Sequence, residues 1–158
     1  MNKQPKPIGF TLIELIVVIS IIGILAALTM ASYSTAQRQA RDTQRKNDLA
    51  QYRNALENYA SAHDGLYTAR TGRQEADTYP CDKLKPDFMS DCPSDPGSFT
   101  YYYRTNRTNG ASGADTATQY VLWVELETGG YWEVCSDGRS GKLTSAPNDG
   151  GGNCEVTL

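Results

Sequence analysis

The feature that most restricts this chain is the apolar run from Phe10 to Leu28, nineteen residues interrupted by one charge, Glu14. As a helix rising about 1.5 Å per residue, the run covers roughly the 30 Å hydrocarbon thickness of a bilayer. It can span a membrane. A carboxylate inside lipid costs about 2.5 to 3.5 kcal/mol on insertion scales, a penalty tolerated where the group has a partner or a task. Glu14 is therefore a candidate functional residue on physical grounds alone.

The remainder is polar, and a length of 158 residues suits one soluble domain behind one anchor. With 15 basic and 18 acidic residues the chain carries a net charge of −3, which argues against a dedicated nucleic-acid binder, whose footprint is a basic patch. Cys81, Cys92, Cys135 and Cys154 all lie in the polar part, and their spacings lack the close pairs of a zinc site. They fit disulfides formed in an oxidising compartment.

A basic stub ahead of an apolar run also describes a secretory signal, and Ser34-Thr35-Ala36 offers small residues for a signal peptidase. Signal cores, however, run about 7 to 15 residues and carry no acid. A plain transmembrane anchor explains the length but neither Glu14 nor the glycine, Gly9, directly before Phe10. The third reading comes from likeness: KPIGFTLIELIVVISIIGILAAL, residues 6 to 28, resembles the leader and N-terminal helix of type IV pilins and type II secretion pseudopilins.

That resemblance implies that residues 1–9 are a leader. A prepilin peptidase would cut after Gly9 on the cytoplasmic side and methylate the new amino group of Phe10, while residues 10–28 stay as a membrane-spanning and filament-core helix. It also implies a role for Glu14: pairing with the Phe10 amine of an adjacent subunit. An α-amine has a reference pKa of about 7.7 to 8, so it is largely cationic at neutral pH, and a cation and a carboxylate together lose much of what either costs alone in lipid. Pairing within one subunit is open as well, because Phe10 and Glu14 are four residues apart and share a helix face. The partners implied are the prepilin peptidase, identical or related subunits in a homo-oligomeric helical filament, the inner membrane before assembly, and the pilus assembly machinery. The location implied is the inner membrane of a bacterium and then the cell surface.

Beyond Leu28 the sequence stays helix-like as far as His63-Asp64-Gly65, with Gly65 suited to a helix C-terminus, so residues 29–65 are expected as an amphipathic continuation. Leu49, Tyr52, Leu56 and Tyr59 form a stripe able to pack on a sheet. Gln37 to Asp48 (QRQARDTQRKND) is almost wholly polar; its arginines, with Lys46, suit anionic headgroups, acidic neighbours or a solvated face. Many members of the resembled family carry a helix-breaking proline where Ala31 stands. Nothing local breaks the helix here.

Residues 66–158 are expected as the globular head. Residues 64 to 98, rich in Gly, Pro, Asp, Ser and Thr, suggest a long loop. Strands are expected at Phe99 to Arg104, Gln119 to Glu127 and Tyr131 to Ser136. A two-residue Gly129-Gly130 turn would set Glu133 on the apolar face; a three-residue loop, Thr128-Gly129-Gly130, pairs Leu126 with Trp132 and Val124 with Val134. The three-residue loop is preferred. It leaves Trp123 opposite Cys135 on the outer face, to be covered by the C-terminal loop or by another molecule. The expected disulfides are Cys81 to Cys92 and Cys135 to Cys154, since the other two connectivities would tie the loop before the sheet to the segment after it. The fold class is α+β: a long N-terminal helix on a small antiparallel sheet, with a disulfide-closed C-terminal loop.

Catalytic chemistry is missing from the pattern. One histidine, His63, supports neither a two-histidine metal site nor a catalytic triad, and no cofactor motif is present. Glu125 and Glu127 are expected on a solvated strand face. Asp137 and Asp149 lie in Gly-rich loops of the kind that bind hard cations in some pseudopilins, but they follow no EF-hand pattern, so no metal is expected. Asn106-Arg107-Thr108 is a formal glycosylation match. The expected function is a structural subunit of a type IV pilus. Its alternatives are a pseudopilin of a type II secretion or DNA-uptake system and a membrane-anchored extracellular domain that never polymerises.

Overall fold

The computed structural model describes residues 9–70, 72–107, 114–148 and 153–156, with backbone only at 31 and 32. Residues 1–8 of the leader, Thr108 of the sequon, Asp149 and the glycines at 150–152 lie outside the described residues. The chain divides into two compact units between Gln37 and Arg38.

A single helix, α1 (Leu12–Ala62), runs from the first unit into the second. Its continuity follows from composition, for no proline occurs between Pro7 and Pro80. It ends with Asp64 and Gly65 both at positive φ, and the Gly65 N–H bonds the Ala60 carbonyl at 2.8 Å. His63 lies just past the last helical residue, its ring stacked 3.9 Å from that of Tyr59.

In the second unit the elements that follow are β1 (Tyr67–Thr68), β2 (Gln74–Glu75), α2 (Cys81–Leu84), β3 (Tyr102–Thr105), β4 (Asp115–Ala117), β5 (Tyr120–Glu125), β6 (Tyr131–Cys135) and β7 (Ser140–Leu143). They form an antiparallel five-stranded sheet in the order β2-β3-β5-β6-β7 and a separate β1-β4 pair. The fold is α+β. The segment expected as one long loop thus contributes a strand to each sheet and a helical turn.

The stripe Leu49, Tyr52, Leu56 and Tyr59 is buried against Tyr103, Tyr120, Leu122, Val124 and Val134. Each large apolar side chain so covered contributes about 1.5 to 3 kcal/mol. Tyrosine supplies much of this core, and its hydroxyls find acceptors as buried hydroxyls must. Tyr120 and Tyr67 donate to the two oxygens of Glu57 at 2.8 and 3.0 Å, Tyr101 donates to Asp48 at 2.5 Å, and Tyr59 donates to Asp115 at 2.7 Å. Helix and sheet are therefore latched by tyrosine–carboxylate bonds at the margins of an apolar layer.

The β5–β6 hairpin corrects the expected register. Val124 pairs with Trp132 and Leu122 with Val134, so Trp123 stands opposite Glu133, while Cys135 faces Val121. The connection is five residues, Leu126 to Gly130, closed by Leu126 N–H to the Gly130 carbonyl at 2.9 Å, with Gly129 and Gly130 both at positive φ. The cause lies in the helix. Asp42 accepts the backbone N–H groups of Glu127 and Thr128 at 2.9 and 3.0 Å and the Thr128 hydroxyl at 2.7 Å, which draws both residues out of the ladder. The shift is even, so each side chain keeps its face.

On the outer face Trp123 is buried between the Tyr102 ring, 5.4 Å away, and the Arg104 guanidinium, 5.3 Å away. Its neighbour Glu133 accepts the backbone N–H groups of Glu155 and Val156 at 3.0 and 2.9 Å, and Arg139 donates to the Val156 carbonyl at 2.7 Å. A Cβ on Gly141 would lie 2.8 Å from Val156, so glycine there permits the close approach of this strap. Disulfides join Cys81 to Cys92 and Cys135 to Cys154.

Candidate functional site

In the first unit Gly9 and Phe10 precede the helix. Among the described residues no atom comes within 4 Å of a Cβ placed on Gly9, and Phe10 is 90% exposed. Thr11 caps the helix. Its N–H and hydroxyl donate to Glu14 Oε2 at 2.8 and 2.7 Å, and the Glu14 N–H returns a bond to the Thr11 hydroxyl at 3.3 Å. This reciprocal pattern is a capping box, whose signal, a threonine three residues ahead of a glutamate and followed by an apolar run, stands in the sequence as Thr11-Leu12-Ile13-Glu14. Weighing the carboxylate only as a charge in lipid passes over this local role. Among the described residues both bonds to the carboxylate fall on Oε2, which leaves Oε1 open to a second donor.

The rest of the run makes no polar demand. Ser20 donates to the Ile16 carbonyl at 2.7 Å and Thr29 to the Ala26 carbonyl at 2.9 Å, so both hydroxyls are satisfied within the helix. Its large apolar side chains are exposed, from 49% at Ile16 to 76% at Leu12. The helix is long and apolar enough to cross a membrane.

In the second unit the polar segment of the helix is divided: Arg38, Gln39, Thr43, Gln44 and Asn47 are exposed, whereas Asp42, Arg45 and Asp48 are buried. Arg45 is fully buried and donates to Asp95 at 2.5 and 3.1 Å, to Asp42 at 2.8 Å and to Glu127 at 3.0 Å, with its guanidinium 4.7 Å from the Phe99 ring. Arg41 makes a two-pronged pair with Glu127 at 2.6 and 2.5 Å. Glu127 is therefore a loop residue bonded to the helix, not a solvated strand residue beside Glu125. The Arg41 bonds pull the Glu127 carboxyl down to about 2. Burial pushes Asp42 and Asp95 up, yet the bonds they accept outweigh it and hold both below the ordinary aspartate value. A helical signal for this cluster exists: Arg45 lies four residues before Leu49 and seven before Tyr52, on the buried face.

The other candidates resolve locally. Asp137 is bonded by the Arg139 backbone N–H at 3.0 Å and its side chain at 2.7 Å. The Asn106 side-chain amide donates to Thr118 at 2.8 Å, and its oxygen accepts the Thr118 and Gln119 N–H groups. Glu133, Cys135 and Cys154 bring donor atoms close together, but the two sulfurs are bonded to each other and offer no thiolate.

Residues 8–30 match the family described as the prokaryotic N-terminal methylation motif. The prepilin peptidase-dependent protein D of Escherichia coli is 45% identical over 72 residues, 46% of this chain and 47% of that protein. The type II secretion system core protein G of Pseudomonas aeruginosa is 33% identical over 109 residues, 65% of this chain and 76% of that protein. The type IV major pilin protein PilA of Myxococcus xanthus is 37% identical over 61 residues, 39% of this chain and 28% of that protein. The chain thus spans about half of the first relative and a smaller part of the pilin. No solved structure matches significantly.

Proposed function

The chain belongs to the type IV pilin and pseudopilin family, and within it we propose that it is a structural subunit of a type IV pilus, cut between Gly9 and Phe10 and methylated on Phe10. It is non-enzymatic, like the structural pilins and pseudopilins it resembles. The observation that carries the proposal is the state of residues 10–28: an exposed apolar helix, its hydroxyls satisfied internally, whose one carboxylate has an oxygen to spare.

Cleavage creates a cation at Phe10. A neighbour's amine reaching Glu14 relieves the cost of both charges at once, so insertion into the membrane stores the drive for assembly. Residues 1–9 then act as the leader, 10–28 as the membrane-spanning and filament-core segment, 29–65 as its amphipathic continuation, and 66–158 as the head. The precursor sits in the inner membrane and the product outside the cell.

A second reading, a type II secretion pseudopilin, is favoured by the length of the core protein G alignments, which run to 82% of this chain for the Vibrio cholerae protein. Electron microscopy of sheared surface fractions with N-terminal sequencing tests the choice. Abundant filaments whose subunit begins at Phe10 support the pilus; a Phe10 start without surface filaments supports the pseudopilin. An intact Met1, or a start at Gln37, sinks both.

A further inference from the structure

The outer face of the five-stranded sheet carries a group of side chains that neither the core nor the filament reading uses. Tyr102 pairs with Trp123 across β3 and β5, and Glu125 pairs with Tyr131 across β5 and β6, so strand alternation sets all four on one face in adjacent rows. With Arg73, directly ahead of β2, and Thr100, they line a cleft of about 280 Å³. Sites for drug-sized ligands occupy roughly 300 to 1,000 Å³, so this one suits a single small ring. Trp123 is buried against Tyr102, their rings 5.4 Å apart, and Tyr102 in turn carries the Arg73 guanidinium 4.8 Å from its ring. That stack holds Arg73 in place without consuming its N–H groups, because a guanidinium stacks by its plane and donates at its edge. Three groups of the cleft are therefore unspent. Among the described residues Arg73 and Glu125 form no ion pair, with each other or with anything else, the Tyr131 hydroxyl makes no hydrogen bond, and neither a ring nor a cation lies against the half-buried Tyr131 ring.

We propose that this cleft binds an uncharged pyranose sugar. The inference goes beyond the filament reading and does not depend on it, since the cleft lies within one head. The charges select the ligand. A simple anion drawn to Arg73 meets Glu125 as well, and a simple cation drawn to Glu125 meets Arg73, so neither gains. A neutral ligand rich in hydroxyls gives acceptors to the guanidinium and donors to the carboxylate, and bonds to charged groups are the stronger kind. Tyr131 supplies the platform: the weakly positive C–H edges of a pyranose lie on the negative face of an aromatic ring, while the phenol hydroxyl and that of Thr100 remain for the rim of the sugar. An aromatic ligand without hydroxyls would also stack, but it would strip water from Glu125 and return no donor. Ring, acceptor and donor together describe a saccharide.

The test uses the full chain in a detergent without sugar groups, titrated with glucose, galactose and N-acetylglucosamine and followed by saturation-transfer NMR. At least one of the three should bind saturably with a Kd on the order of millimolar, whereas glycerol, which has the hydroxyls but no ring, should not. Glu125→Thr, which keeps a good strand former, and Arg73→Ala, outside the strands, should each weaken that binding at least about tenfold, as loss of a hydrogen bond to a charged group does. Arg107→Ala, an exposed arginine that does not line the cleft, should leave it unchanged. No saturable binding by any of the three sugars, equal binding of glycerol, or undiminished binding in either cleft variant overturns the proposal. Tighter binding of methyl phosphate, tetramethylammonium or glycine at equal concentration overturns it too, because each assigns the cleft to a charged ligand. A loss in Arg107→Ala as large as in the cleft variants does the same by placing the sugar elsewhere. None of these outcomes bears on whether the chain builds filaments.

Discussion

The two stretches of α1 invert one another. From Leu12 to Met30 the large apolar side chains face outward and the lone carboxylate is bonded to its own helix end. From Arg38 to Ala62 the apolar side chains are inside, and Asp42, Arg45 and Asp48 are inside with them. One unbroken backbone serves two solvents. In lipid a helix satisfies its backbone internally and lets carbon face out, whereas in water the same helix must find a sheet to cover its carbon. The charges buried in that process are held only because each meets several partners.

The largest effect expected from breaking this contrast is at Glu14. Glu14→Leu should leave leader cleavage and membrane-bound subunit near normal while filament yield collapses, since deleting one member of a buried pair costs about 3 to 5 kcal/mol. Glu14→Gln sharpens the test, because glutamine can keep the capping box but carries no charge. We expect Gln to fail with Leu. Normal filaments from Gln alone would assign the residue to capping, and an equal loss of filament and subunit would assign it to stability.

Next in size is Arg45→Met, which leaves Asp42 and Asp95 buried beside Glu127 without their shared cation. A loss of about 3 to 5 kcal/mol is expected in urea melts of the detergent-solubilised chain. A change below about 1 kcal/mol would mean that the cluster is no better than a surface pair. Replacing both Cys135 and Cys154 by Ser should cost about 3 kcal/mol by the loop-entropy estimate and should free the C-terminal strap to early proteolysis. Cleavage elsewhere first would place the weak point outside the strap.

The smallest effect is one of pH. Glu127 is lowered from 4.5 to about 2, so its contribution is full above about pH 4.5 and is lost as pH falls through about 2; Asp42 and Asp95 are lowered as well and contribute in the same sense, each losing its share as pH falls through its own lowered value. Burial raises Asp48, which therefore contributes in the opposite sense, favouring the fold in acid and losing that contribution as pH rises through its raised value. Glu127→Gln should flatten the acid limb of a stability-versus-pH curve, while Asp48→Asn, which keeps an acceptor for Tyr101, should leave the neutral region level or slightly higher. Parallel curves for wild type and Glu127→Gln would refute the assignment.

Much of this molecule is written locally in its sequence. The membrane-competent run, the odd carboxylate at Glu14 and the stripe from Leu49 to Tyr59 all follow from composition and helical period, which nearby residues alone determine. So does the outward facing of Trp123, because strand alternation survives any even shift of register. What the tertiary structure decided was where the charges and the short strands go. Arg45 shares the helical phase of Leu49 and Tyr52, but an arginine enters a core only if acids from distant loops meet it, and Asp95 and Glu127 lie fifty or more residues away. The hairpin register likewise depends on Asp42 capturing the N–H groups of Glu127 and Thr128, a competition no local turn rule contains. Two-residue strands such as β1 and β2 have no period to detect. Pairing with a sheet already formed is what makes them strands.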